Sequence, residues 1–141
     1  MRQFRRAAAT AAANAAAVAA LVDSVKKPTP DMMAGHKALG YGTAGFRAHN
    51  TLLDSVCLRM GMMAALRSAS LGVPVGIMVT ASHNGPQDNG LKLSDGDGGM
   101  LHHSWEAYAM RLERAEGGAA VVDSVVDLGD IGVRLLHLVL A

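Results

Sequence analysis

At 141 residues, 50% of them hydrophobic, the chain can build one domain with a real core and is too short for a multidomain enzyme. Its 13 basic and 12 acidic residues leave a net charge of +1, which argues against the broad basic face of a nucleic-acid binder. A single cysteine, Cys57, excludes an internal disulfide and no Cys/His spacing suits structural zinc, so a reducing, cytoplasmic setting is the expectation.

The first 22 residues hold Arg2, Arg5 and Arg6, no acid before Asp23, and alanine runs that favour helix. Two readings stand: an organelle transit peptide, which is Arg-rich and acid-poor, or a low-complexity helical extension. The alanine tract is too weakly hydrophobic for a membrane span, and no membrane partner is expected. From Lys26 to Gly40, two prolines and two glycines break helix and mark a linker. The expected organisation is an Ala-rich helical extension and linker over 1–38, an α/β unit over 39–118, and a divergent or truncated tail over 119–141.

Within the central unit, Thr51 to Asp54 has the spacing of a capping box, and Leu53, Val56, Met60, Met63 and Ala64 recur at helical spacing behind it. A helix of about four turns should therefore end near Gly72. Cys57 and the methionines are expected as core residues of that helix. Val73 to Thr80 is an apolar, β-branched run with almost no polar alternation, the pattern of a strand buried on both faces of a parallel or mixed sheet. Leu91 to Ser94 predicts a second short strand. Ser104 is the expected cap of a further helix that carries Trp105, Tyr108, Ala109 and Leu112 on one face and stops at Gly117 and Gly118. The tail ends in an apolar stretch, Leu135 to Ala141, which either pairs into the sheet or marks a shortened chain.

Chemistry concentrates at Ser82, at the end of the apolar run and the start of a Gly/Asn-rich turn. Serine is a weak nucleophile unless a base or a stabilising charge is supplied. Its neighbour His83 should diverge from it on a turn, and no GxSxG elbow is present, so an esterase is disfavoured. Phosphoryl transfer asks instead for positive charge on nonbridging oxygens, and Arg47 and Lys92 are of the right type. Glycines at 42, 45, 85 and 90 would let backbone amides approach a phosphate. Asp95 to Gly98 offers two carboxylates and no further ligand at regular spacing, which reads as a polar turn rather than a metal loop. His102 and His103 are expected to face solvent.

From Tyr41 to about Glu106 the chain carries, in order, GTAGFR (Gly42 to Arg47), LD (Leu53, Asp54), RMG (Arg59 to Gly61), LRS (Leu66 to Ser68), VGIMVTASHN (Val75 to Asn84), DNGLKL (Asp88 to Leu93), ML (Met100, Leu101) and WE (Trp105, Glu106). This series resembles the α-D-phosphohexomutases, and within them the phosphoacetylglucosamine mutase family. The resemblance implies an α/β fold: part of the family's domain 1, a mixed sheet with flanking helices, preceded here by the Ala-rich helix. It also implies an enzyme that interconverts N-acetylglucosamine 6-phosphate and 1-phosphate through a bisphosphorylated sugar, a step that feeds UDP-N-acetylglucosamine synthesis.

By that resemblance, Ser82 is the phosphorylated serine and, through its phosphate, a ligand of the Mg2+ cofactor. Arg47 and Lys92 are the other catalytic residues, and His83 and Asn84 lie against the substrate phosphate. Gly85 then precedes Pro86 where the family has proline directly after SHN, which should loosen the loop. The family's later magnesium, sugar and phosphate loops are not recognisable in these residues. The expectation is therefore a sugar-phosphate partner but a chain that needs the missing mutase domains for activity and is nearly inactive alone. The alternatives are a non-catalytic sugar-phosphate-binding or partner-binding role, or another hexose-phosphate mutase, such as a phosphoglucosamine mutase or phosphoglucomutase.

Overall fold

A computed structural model describes residues 2–128, with side chains from residue 9 onward. The apolar end of the tail, Leu135 to Ala141, lies outside the described residues. In chain order the elements are α1 (Arg2–Ser24), α2 (Pro30–Met33), β1 (Phe46–His49), a 3-10 turn (Asn50–Leu52), α3 (Asp54–Leu71), β2 (Gly76–Val79), β3 (Asp88–Ser94), α4 (His103–Arg114) and α5 (Gly117–Val126).

The strands form one sheet in the order β1-β3-β2, and both pairings are antiparallel. The α/β class holds, but no parallel pairing occurs among the described residues. β3 runs from Asp88, three residues earlier than the apolar pattern alone marks, because it is the central strand and is paired on both sides. Phe46, Leu91 and Leu93 lie on one face and are buried with Val56, Met60, Met63 and Leu66 of α3. Helix α3 follows its predicted stripe and ends where Gly72 adopts φ +69° and donates its N–H to Ser68 O at 2.8 Å.

Several expectations are corrected. β2 is not buried on both faces: all four of its residues are exposed, because β2 is an edge strand and α3 lies over the sheet nearer β3. No Thr51–Asp54 capping box forms. Thr51 sits inside the 3-10 turn, capped by the His49 ring, and α3 begins behind Leu53 with no side-chain cap. Ser104 does not cap α4 either; His102 does, accepting from the Ser104 N–H. Cys57 is exposed rather than core.

The two glycines expected to stop α4 instead begin α5. Helix α4 ends at Arg114, and after Ala115 and Glu116 the chain turns into Gly117–Val126. Helix α1 packs along α5, burying Val18, Val22, Val121 and Val125. Gly118 is dictated by that contact, since a Cβ there would penetrate the backbone of Ala19. Asp23 Oδ1 accepts the Gly118 N–H at 2.7 Å and so caps α5 from the neighbouring helix, where Glu116 supplies no side-chain cap.

A charged joint ties the linker to the same corner. Lys27 Nζ donates to Glu113 O at 2.7 Å and lies 3.3 Å from Glu116 Oε1. Buried Arg59 donates to Ser55 O and Ala115 O, each at 3.3 Å. Desolvation lowers the pKa of its guanidinium, a shift opposed by the negative charge of Glu113. Such a buried cation ties α3 to the α4–α5 corner through backbone carbonyls.

Candidate active site

The turn from Gly42 to Gly45 closes with a 2.7 Å hydrogen bond from Gly45 N–H to Gly42 O. Gly45 has φ +70°, and a Cβ there would strike the backbone of Leu91. Glycine is therefore required twice at this position, by conformation and by the close approach of the turn to β3. The chain then enters β1, where Phe46 points into the core and the next residue, Arg47, must point the opposite way.

Register decides what shares Arg47's face. Arg47 stands opposite Gly90, and Lys92, two residues along β3 from Gly90, stands opposite Met78. Directly opposed residues share a face, as do residues i and i+2 of one strand, so Arg47, Lys92 and Met78 all project from the side of the sheet away from the core. Gly90 is small for a reason: a Cβ would come within 3.0 Å of Arg47 Cγ, so the Arg47 stem lies over it.

Thr80 N–H donates to Gly90 O at 2.9 Å, so the chain leaves β2 beside the point that Arg47 covers. Ser82 follows two residues later. It is exposed, and it is the one non-glycine among the described residues with positive φ, +56°. A left-handed serine costs of the order of 1 kcal/mol and persists only where its surroundings impose it. Here Thr80 Oγ1 accepts the Ser82 N–H at 3.0 Å, Ala81 O accepts the Asn84 N–H at 3.2 Å, and Asn84 Nδ2 donates to Asp88 Oδ2 at 3.1 Å. The loop is braced at both ends by these hydrogen bonds, and at its tip Ser82, His83 and Asn84 are all exposed.

Two groups near the site were not anticipated as parts of it. Tyr41 lies against Phe46 edge-on, and its hydroxyl accepts the Leu93 N–H at 2.9 Å. Burial raises the pKa of the phenol, and the Leu93 hydrogen bond opposes that shift. Arg67 of α3 holds Asp95 with two hydrogen bonds, Nε to Oδ1 at 2.9 Å and Nη2 to Oδ2 at 2.7 Å, and its guanidinium lies 4.8 Å from the Trp105 ring centroid. The Arg67 hydrogen bonds set the Asp95 carboxyl below the usual carboxylate range, and the His102 N–H adds to the effect. Asp95 is thus committed to a structural joint between α3, the end of β3 and α4. Trp105 packs on the core cluster as expected, and His102 and His103 face solvent.

A family model, phosphoglucomutase/phosphomannomutase, alpha/beta/alpha domain I, matches residues 32–112. The chain belongs to that family. Among family members, the phosphoacetylglucosamine mutase of Oryza sativa subsp. japonica is 48% identical over 87 residues, which cover 61% of this chain and 16% of that protein. Its counterpart in Homo sapiens is 54% identical over 78 residues, 55% of this chain and 14% of that protein. The described fold superposes on a crystal structure of an N-acetylglucosamine-phosphate mutase in its substrate complex with TM-score 0.70 and 38% identity, over 82% of this chain and 21% of that one. An Aspergillus fumigatus N-acetylphosphoglucosamine mutase crystallised with GlcNAc-6P and magnesium gives TM-score 0.65 at 43% identity, over 77% and 20%. The chain therefore spans about a sixth of the length of the curated phosphoacetylglucosamine mutases it matches.

Magnesium takes several oxygen ligands in near-octahedral array. No group of three or more His, Cys, Asp or Glu side chains that could hold a metal occurs among the described residues. No helix among them is long and apolar enough to cross a membrane.

Proposed function

We propose that this chain carries the phosphoryl-transfer serine of a mutase acting on N-acetylglucosamine phosphates. The observation that carries the reading is the placement of Ser82: an exposed hydroxyl at φ +56°, on a braced loop that leaves β2 beside Gly90, next to the face from which Arg47 and Lys92 project. The names of the relatives and structural neighbours, each a mutase of acetylglucosamine phosphate, support the choice of sugar.

In this reading a phosphate on Ser82 meets the 6- or 1-hydroxyl of the sugar phosphate. The P–Oγ bond breaks as a bond from phosphorus to the sugar oxygen forms, and the hydroxyl proton leaves to a base. The bisphosphorylated sugar then returns its other phosphoryl group to Ser82 Oγ, regenerating the phosphoserine. Arg47 and Lys92 supply positive charge to the nonbridging oxygens, with Lys92 placed for charge stabilisation or proton transfer. His83 and Asn84, exposed on the same loop, line the phosphate side. Ser82, through its phosphate, would be this chain's contribution to holding magnesium, and the ion when bound would supply positive charge to the transferring phosphoryl group. Full turnover belongs to a complete mutase, since positioning and electrostatic stabilisation supply most of such catalysis and the described residues hold only part of both.

Incubation of the purified chain with a labelled hexose 1,6-bisphosphate and magnesium, followed by peptide mapping, tests the assignment. Label is expected on Ser82 and absent from Ser82→Ala. Label confined to any other residue contradicts it.

A further inference from the structure

Strand β1 begins at Phe46, opposite Leu91, and the next residue of β3 to face that side, Leu93, lies beyond it. A strand that outruns its neighbour leaves a backbone N–H and C=O without a ladder partner, and buried groups of that kind must be satisfied otherwise. At Leu93 the two are satisfied separately. Its carbonyl accepts from Leu101 N–H at 3.2 Å, and its N–H donates to the Tyr41 hydroxyl at 2.9 Å. Tyr41 thus takes the place of a missing strand residue.

The position of that substitute matters because of what lies to either side. Tyr41 is fixed to β3 at Leu93, and its backbone N–H reaches Met110 Sδ at 2.9 Å, which pins it to α4 as well. Four residues later, Gly45 is pressed against β3 at Leu91, and a Cβ on it would come within 2.9 Å of Lys92 Cα. The turn from Gly42 to Gly45 is therefore stretched between two fixed points that bracket Lys92, and Arg47 leaves its far end. The hydroxyl is the anchor on the near side.

We infer that Tyr41 is a positioning residue for the phosphoryl-transfer site: its hydroxyl, by filling the ladder gap at Leu93, sets the spacing between Arg47 and Lys92. The inference rests on the reading of Arg47 and Lys92 given under Proposed function for its consequence, but not for its geometry. Tyr41 itself touches no substrate. Removing its oxygen leaves the Leu93 N–H buried and unpaired while the ring keeps its edge-on contact with Phe46.

Tyr41→Phe in the full chain tests this by two independent readouts. Without ligand, ¹⁵N spectra of the variant should show the Leu93 amide exchanging with solvent at least tenfold faster, a loss in keeping with one buried hydrogen bond. The Arg47 Nε and Lys92 amide signals should shift with it, and Trp105 Nε1 should stay in place. A variant with a lowered melting temperature but unmoved Arg47 and Lys92 signals would show a purely structural tyrosine and overturn the inference. In the second readout, titration with hexose 1,6-bisphosphate below the melting temperature of both forms should show binding about tenfold weaker for the variant. Equal affinity, with wild type binding, also overturns it. Absence of binding by the wild type sinks the sugar-phosphate reading instead, and leaves the ligand-free spectra to decide the role of Tyr41. Gly61→Ala, inside α3 with nothing within 4 Å of a new Cβ, is the control that should move neither readout.

Discussion

β3 has two neighbours, and they could hardly be more differently placed. On one side, β1 is anchored by Phe46, fully buried beneath α3, and carries Arg47 on its outer face. On the other, β2 holds Ile77, Met78 and Val79, three apolar residues in a row, with Met78 55% and Val79 58% exposed. By composition β2 is the more hydrophobic strand. Burial is decided by what is stacked on a strand and by whether both its edges are paired, and only secondarily by its own residues. Phe46, Leu91 and Val79 stand in one row across the sheet, yet the row runs from core to solvent.

Mutations at the two ends of that row turn the contrast into numbers. Phe46→Ala should cost about 3–5 kcal/mol by removing a fully buried aromatic from the α3 contact, enough to unfold a domain of marginal stability. Denaturant titration would read it as a large fall in midpoint at constant slope, and a loss below about 1 kcal/mol would mean that β1 is not part of the core.

The Arg67–Asp95 pair should come next in size. Both side chains are largely buried, and Asp95→Asn removes the charge from two guanidinium hydrogen bonds, a loss of about 2 kcal/mol near neutral pH. The pH dependence has a definite sign. Folding depresses the pKa of Asp95, so the pair's contribution is fully present above the unfolded carboxylate value and is lost as pH falls through the lower folded value. Stability measured from pH 6 downward should therefore fall less steeply on the acid limb for Asp95→Asn than for the parent chain. Identical limbs would show that Asp95 titrates alike in the folded and unfolded chain.

How much of this was legible follows the same line between local and distant causes. The α3 stripe and the Gly72 stop are written in contiguous residues, and the sequence marks them correctly. The exposed edge at β2 depends on which faces α3 covers, which its own residues do not encode. Helix α5 was hidden because Gly117 and Gly118 read as a stop, whereas Gly118 answers to the backbone of Ala19, nearly a hundred residues away in the chain. His49 and His102 were missed as caps because cap patterns favour Ser, Thr, Asp and Asn, and a ring Nδ1 serves only in the right tautomer. Tyr41 had a signal, its adjacency to the GTAGFR turn, but its hydrogen bond spans 52 residues. No spacing rule reaches that far.

Ser82→Gly separates the strain at the loop tip from its chemistry. Glycine adopts φ +56° without the penalty an L side chain meets, so the substitution should stabilise the fold by about 1 kcal/mol while removing every trace of label from position 82. A destabilised Ser82→Gly would mean that the hydroxyl makes a contact the loop needs, and the left-handed geometry would then be relaxed rather than imposed.

The smallest effect is the one that sharpens the comparison most. Val79→Thr replaces a methyl by a hydroxyl of similar size in the same cross-strand row as Phe46 and Leu91. In a core position such a change strands a polar group and costs a few kcal/mol. At Val79 the hydroxyl meets water and threonine keeps the β-branched preference for strand, so the change should fall within about 0.5 kcal/mol of zero. Thermal melts at several concentrations would check it. A loss of more than about 2 kcal/mol would show that β2 is covered in solution by something outside the described residues. The exposed face would then have to be counted as interior, and β1 and β2 would differ less than the described fold makes them.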